Sequence, residues 1–149
     1  MHINEALKIR LFRIVIGYAS IYHILLGLLG TFAGPSIVVG LSSTIFGISP
    51  TPDDQFLVTG RFAAAYMLAF GMMLGLLAID PRKYSMLVWP GVVLFALRIF
   101  DRLVYAGQLE RAFGTTLGRS LITVAMAVII IAALVVLRPT GEPSVRESQ

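Results

Sequence analysis

Five charged residues, Arg61, Arg98, Asp101, Arg102 and Arg119, stand within or at the edge of long apolar stretches. A charge in hydrocarbon is costly, so each is by default a functional candidate whose partner must be named. At 1.5 Å of rise per helical residue, Arg61 falls roughly 6 Å inside its segment, and Asp101, in a segment running the other way, comes to nearly the same depth. Arg98 lies one turn deeper and Arg102 one residue beyond Asp101. Arg119 enters at the head of the following segment, and Tyr105 extends the Arg98 and Asp101 face at i+4. Four arginines thus share one layer with a single carboxylate. In one reading Asp101 clasps Arg61 and Arg98 between helices, while Arg102 and Arg119 snorkel to lipid phosphates. In the other, the surplus of planar guanidinium forks binds an anionic small molecule or a lipid headgroup.

A second constellation is Tyr18, Tyr22 and His23, with Tyr66 on another segment opposite them. Such a group either holds a quinone or aromatic ring by stacking and a hydrogen bond, or is aromatic packing around a satisfied histidine. No nucleophile stands with a base and an orienting third group, and no metal-ligand or phosphate-loop spacing occurs, so no catalytic residue, metal or cofactor is expected. Cysteine is absent, which excludes disulfides, thiolate chemistry and iron–sulfur ligation. The two histidines, His2 and His23, do not supply a well-placed axial pair for haem.

The elements that position these residues follow from hydropathy. The chain has 149 residues, of which 57% are hydrophobic and 13% charged, and its mean hydropathy is +0.85. A soluble domain is nearer half apolar and a quarter charged, so this composition belongs in lipid. Crossing a hydrocarbon layer takes about 20 mostly apolar residues, and four stretches qualify: about 14–33, 57–79, 85–106 and 116–137. The expectation is all-α: one integral membrane domain, a four-helix transmembrane bundle, with 139–149 as a flexible cytoplasmic tail.

Punctuation supports the division. Thr51-Pro52-Asp53-Asp54 reads as a cap, a first-turn proline and two carboxylates at the positive end of a helix dipole. Asp80-Pro81 repeats the device for the third span, Pro90 is expected to kink that span, Gly114-Thr115-Thr116 separates the last two segments, and Arg138-Pro139 ends the fourth. Lys8, Arg10 and Arg13 before the first span and Ala33-Gly34 after it resemble a secretory signal, but an apolar run of about 20 residues is long for one, and the segment is expected to be retained.

Outside the spans, Lys8, Arg10, Arg13, Arg82, Lys83, Arg138 and Arg146 fall on one side and Arg111 on the other. The positive-inside rule then puts both termini in the cytoplasm, N-in and C-in, with 34–56 and 107–115 as outward loops. The basic residues form no stripe with interleaved aromatics, so nucleic acid is not an expected partner. Residues 3–13 read either as an amphipathic lead-in on an anionic leaflet or as a plain extension of the first helix. In the second span Gly60, Ala64, Gly71, Gly75 and Ala78 share a face, and Gly71 and Gly75 are spaced for close helix contact, within the chain or with another copy. The apolar 34–56 loop is expected to lie on the leaflet, dip into it or cap the bundle.

The run GRFAAAYMLAFGMMLGLLAIDPRKYSMLVWPGVVLFALRIFDRLVYAGQLERAFG, residues 60–114, resembles the BphX-like family of small bacterial membrane proteins, which are similar to the wider DoxX-like four-helix group. The features that carry the likeness are Gly60-Arg61-Phe62, Asp80-Pro81-Arg82 and Arg98 with Asp101-Arg102. The resemblance implies a multi-pass protein of the bacterial inner membrane, in a setting of aromatic degradation. Three functions are expected from the residues: a non-enzymatic accessory or helper protein moving or sensing hydrophobic or anionic aromatic compounds through the Arg61, Arg98, Asp101 and Arg102 layer, a quinone-interacting redox component with Tyr22 and His23 near the ring, or a structural subunit of a larger membrane complex or homo-oligomer in contact through the Gly71 and Gly75 face and the apolar loop.

Overall fold

The computed structural model describes residues 4–48 and 51–139, and among them every regular element is helical. The order is α1 (Glu5–Phe32), α2 (Pro35–Phe46), α3 (Asp54–Ile79), a 3₁₀ turn (Ser85–Leu87), α4 (Val88–Val104), α5 (Ala106–Phe113) and α6 (Leu117–Val136). Three helices, α1, α3 and α6, are long and apolar enough to cross a membrane. Large apolar side chains such as Phe62, Tyr66, Ile122 and Val136 face outward, a surface that water does not tolerate and lipid does.

The helix ends explain where the elements lie. Asn4 caps α1, its side chain accepting from the Ala6 N–H, so residues 5–13 are one continuous helix with the first apolar run. The cap of α3 is Asp53, which accepts from Phe56 N at 2.7 Å. That moves the start two residues past Thr51, the expected cap, because an aspartate immediately before the helix competes better for the free N–H groups. Asp80 does not open α4. It closes α3, and its carboxylate accepts from Lys83 N in a local turn before the 3₁₀ segment. Pro90 sits in the first turn of α4, where its missing N–H would have had no intrahelical partner; it starts the helix and does not kink it. Both expected loops carry helices of their own. In α2, Pro35 occupies the first position and Gly47, at φ +64°, is the left-handed terminator. The expected tail beyond Pro139 lies outside the described residues.

α1 and α3 form the tightest pair, antiparallel and in glycine contact. Gly17 faces Ala78, Ser20 faces Gly75, Ile24 faces Gly71, Gly27 faces Leu68 and Gly30 faces Ala64. At Gly27 a Cβ would lie 2.5 Å from the Leu68 nitrogen, and at Gly71 it would lie 2.7 Å from the Ile24 nitrogen. Backbone approaches this close are what small residues permit between helices in lipid. Ser20 Oγ donates to the Gly71 carbonyl at 2.8 Å, tying the pair at mid-length. α4 packs on α6, with Leu134 and Leu74 against Gly91. A continuous core of Phe12, Ile16, Leu74, Leu77, Phe95 and Leu134 joins the two pairs.

Two helix C-termini are closed by arginines from neighbouring helices. Arg13 of α1 donates to the Ile79 carbonyl at the end of α3, at 3.1 Å, and Arg119 of α6 donates to the Thr44 carbonyl at the end of α2. Neither α2 nor α3 has a basic residue in its own last turn, so the cations that complement these negative ends come from across the bundle. Thr115 Oγ1 adds a 3.4 Å bond to the Gly47 carbonyl. The end of the bundle bearing Gly47, Thr115 and α5 is thus roofed, and is called the capped end below.

Candidate functional site

Towards the capped end, α1, α2 and α3 leave an apolar cleft of about 310 Å³. Leu26 and Gly30 of α1, Val38 and Phe46 of α2, Ala63 and Met67 of α3, and Phe113 of α5 contribute to its wall. The local reason for the space is composition. Gly30, Gly60, Ala63 and Ala64 add little or no side-chain volume to the wall, and α2 lies across them with its own apolar face. The volume is at the lower end of the range for small-molecule sites, about 300–1,000 Å³.

One turn deeper stands a buried histidine. His23 is 2% exposed. Its Nδ1 lies 2.7 Å from the Ala19 carbonyl and its Nε2 lies 3.0 Å from Nη1 of Arg98. A carbonyl only accepts and a guanidinium only donates, so the two partners together specify a neutral ring protonated on Nδ1. Tyr22, Phe70 and Phe95 surround the imidazole edge-on, with centroid separations of 5.4, 5.2 and 5.9 Å. The polar pair is therefore enclosed by aromatic rings from three helices.

The structure sorts the candidate charges differently from a single ion cluster. Arg98 is turned to His23, whereas Asp101, three residues on, is exposed. The proposed clasp between Asp101 and Arg98 is replaced by one between Arg98 and histidine, because the Arg98 side chain follows the inward face that also carries Gly91 and Phe95. Arg61 is exposed on α3. Arg102 is half-buried, and its Nη1 is shut away from solvent with no hydrogen-bond partner among the described residues. Arg119 belongs to the α2 cap. Tyr105 ends α4, its ring edge-on to Phe100 at 6.4 Å.

The aromatic quartet is likewise divided. Tyr18 and Tyr66 are 68% and 78% exposed, on outer faces, and Tyr22 is at the margin of the His23 cage. Phe70 and Phe95 take the places beside His23 that sequence reasoning gave to tyrosines. Gly71 and Gly75 lie in the α1 contact, opposite Ile24 and Ser20. The cleft itself was missed from sequence; its one signal was the run of small residues Gly60, Ala63 and Ala64 beside an apolar loop. Among the described residues no group of three His, Asp or Glu side chains is placed to hold a metal ion. Comparison with known proteins yields no matching family model, no similar curated protein and no similar solved structure.

Proposed function

We propose that the chain is a four-span protein of the bacterial inner membrane, with both termini in the cytoplasm, that holds a small hydrophobic molecule at its capped end as a helper in transport or sensing. The observation that carries this is the apolar cleft between α1, α2 and α3. At about 310 Å³ it has roughly twice the volume of an engineered cavity, about 150 Å³, that takes up benzene, and its phenylalanines suit a flat ring. The fourth span is supported by length: the 3₁₀ turn and α4 are helical from Ser85 to Val104, about 31 Å, the thickness of the hydrocarbon layer. The reading keeps the chain with the BphX-like proteins that residues 60–114 resemble, and makes a small aromatic molecule the first ligand to try.

The test is equilibrium dialysis of the protein in phosphatidylcholine nanodiscs against 2-naphthylmethanol. Saturable uptake above that of empty nanodiscs is expected. Ala63→Trp, which fills the cleft, should abolish it, while Phe62→Trp, on the exposed face, should not. Uptake that never saturates, or that ignores Ala63→Trp, overturns the reading.

A further inference from the structure

Two cationic side chains of α4 have too few acceptors. Arg98 has five N–H donors and a neutral imidazole as its partner, and Arg102, one turn along the same face of α4, has a buried Nη1 with none among the described residues. No described carboxylate is hydrogen-bonded to either, not even Asp101, which lies between them on α4. Asp53, Asp54, Asp101 and Glu110 are exposed, Asp80 is engaged with Lys83, and Glu5 stands at the far end of α1. Two guanidinium groups held in an apolar bundle without a counter-charge are expensive unless an anion completes them.

Their depth points to the cleft. α4 runs antiparallel to α3, with Gly91 beside Leu74 and the Phe95 ring 5.4 Å from that of Phe70. Continuing that register sets Arg98 at the level of Met67 and Arg102 at the level of Ala63, and both Met67 and Ala63 line the cleft. The cations and the apolar chamber therefore occupy one layer of the bundle, with His23 below as a fixed acceptor that orients Arg98.

We propose that Arg98 and Arg102 form the head-group end of the same site, which takes an amphipathic monoanion. Its carboxylate or phosphate meets the two guanidinium forks, and its apolar body fills the cleft. The inference rests on the cleft being a ligand site and adds the charge of what enters. Arg is suited to the task, since its planar donors match a carboxylate or phosphate in two parallel bonds.

The experiment compares 2-naphthoate with uncharged 2-naphthylmethanol on the full chain in phosphatidylcholine nanodiscs. The carboxylate is expected to bind the wild type at least about tenfold more tightly, the scale of one hydrogen bond to a charged group. Arg102→Gln should remove that preference and leave 2-naphthylmethanol binding unchanged, which also shows the cleft is still folded; Arg102→Lys should restore part of it. Exchange of phosphatidylcholine for phosphatidylglycerol separates the sources. If the preference for 2-naphthoate disappears there, and Arg98→Gln/Arg102→Gln shows no lipid effect, the bilayer supplies the anion. If it persists, the anion is a free amphiphile. Equal affinity of both probes for the wild type overturns the anion site while leaving the cleft reading intact; binding of neither overturns the cleft reading itself.

Discussion

Arg98 donates to Nε2 of His23 across 3.0 Å, linking α4 to α1 through a ring whose other nitrogen is committed to the Ala19 carbonyl. The bond gives a half-buried cation an acceptor without placing a second charge in the bundle. It also fixes both χ angles of His23, since a rotated ring would lose one partner or the other.

His23→Leu should therefore destabilise the protein by about 1–3 kcal/mol, because it strands the guanidinium. Arg98→Met in the same background should recover part of the loss, since removing both partners is milder than removing one. Thermal unfolding of the two single variants and the double variant in one detergent gives the coupling. Additive losses would show that the bond is not energetically coupled.

The glycine contact between α1 and α3 makes a sharper prediction. Gly27→Ala and Gly71→Ala each place a methyl group against backbone that cannot swing aside, and each should cost about 1–3 kcal/mol from overpacking. Gly17→Ala, whose new methyl would have its nearest neighbour at 3.9 Å, is the control and should be close to neutral. Unfolding midpoints in mild detergent rank the three.

Much of this arrangement was legible before any coordinates. The apolar runs mark α3 and α6 to within three residues, because crossing a bilayer sets both composition and length, whereas α1 begins nine residues before its apolar run, at Glu5 behind the Asn4 cap. Gly114 and Thr116 marked the end of α5 and the start of α6. What sequence spacing did not reveal is which neighbour a face meets. Arg98 and Asp101 share a helix face at i+3, yet Arg98 is oriented by His23, 75 positions away in the chain. Pro90 looked like a kink because the 3₁₀ turn that delays the start of α4 has no strong composition signal. α2 looked like a loop because 12 residues are too few for a span, although Pro35 and Gly47 bracket them as helix punctuation.

Release of the cap should be visible as exchange. Arg119→Ala removes the cation at the α2 C-terminus and its bond to the Thr44 carbonyl, so amide exchange across Pro35–Phe46 should rise about tenfold, the equivalent of about 1.4 kcal/mol. Exchange in α1 and α3, held by the glycine contact, should be unaffected. A uniform rise along the chain would mean that Arg119 stabilises the whole fold and not the cap alone.

Orientation is open to direct labelling because the chain has no cysteine. Single variants Ser43→Cys and Gln108→Cys should react in intact cells with a membrane-impermeant maleimide, and Lys83→Cys only after permeabilisation, as expected from the basic residues around Asp80. The reverse pattern would invert the proposed topology and place the cleft on the cytoplasmic side.

The bond from Arg119 to Thr44 also bears on the order in which the molecule is built. α1 and α3 can join by their glycine faces as soon as both have left the ribosome, but the residues that pin down α2, Thr115 and Arg119, are made after both. The chamber thus remains unroofed during biosynthesis until α6 arrives. A nascent chain arrested before Thr115 would carry the paired helices with α2 untethered, and closing the roof follows their pairing.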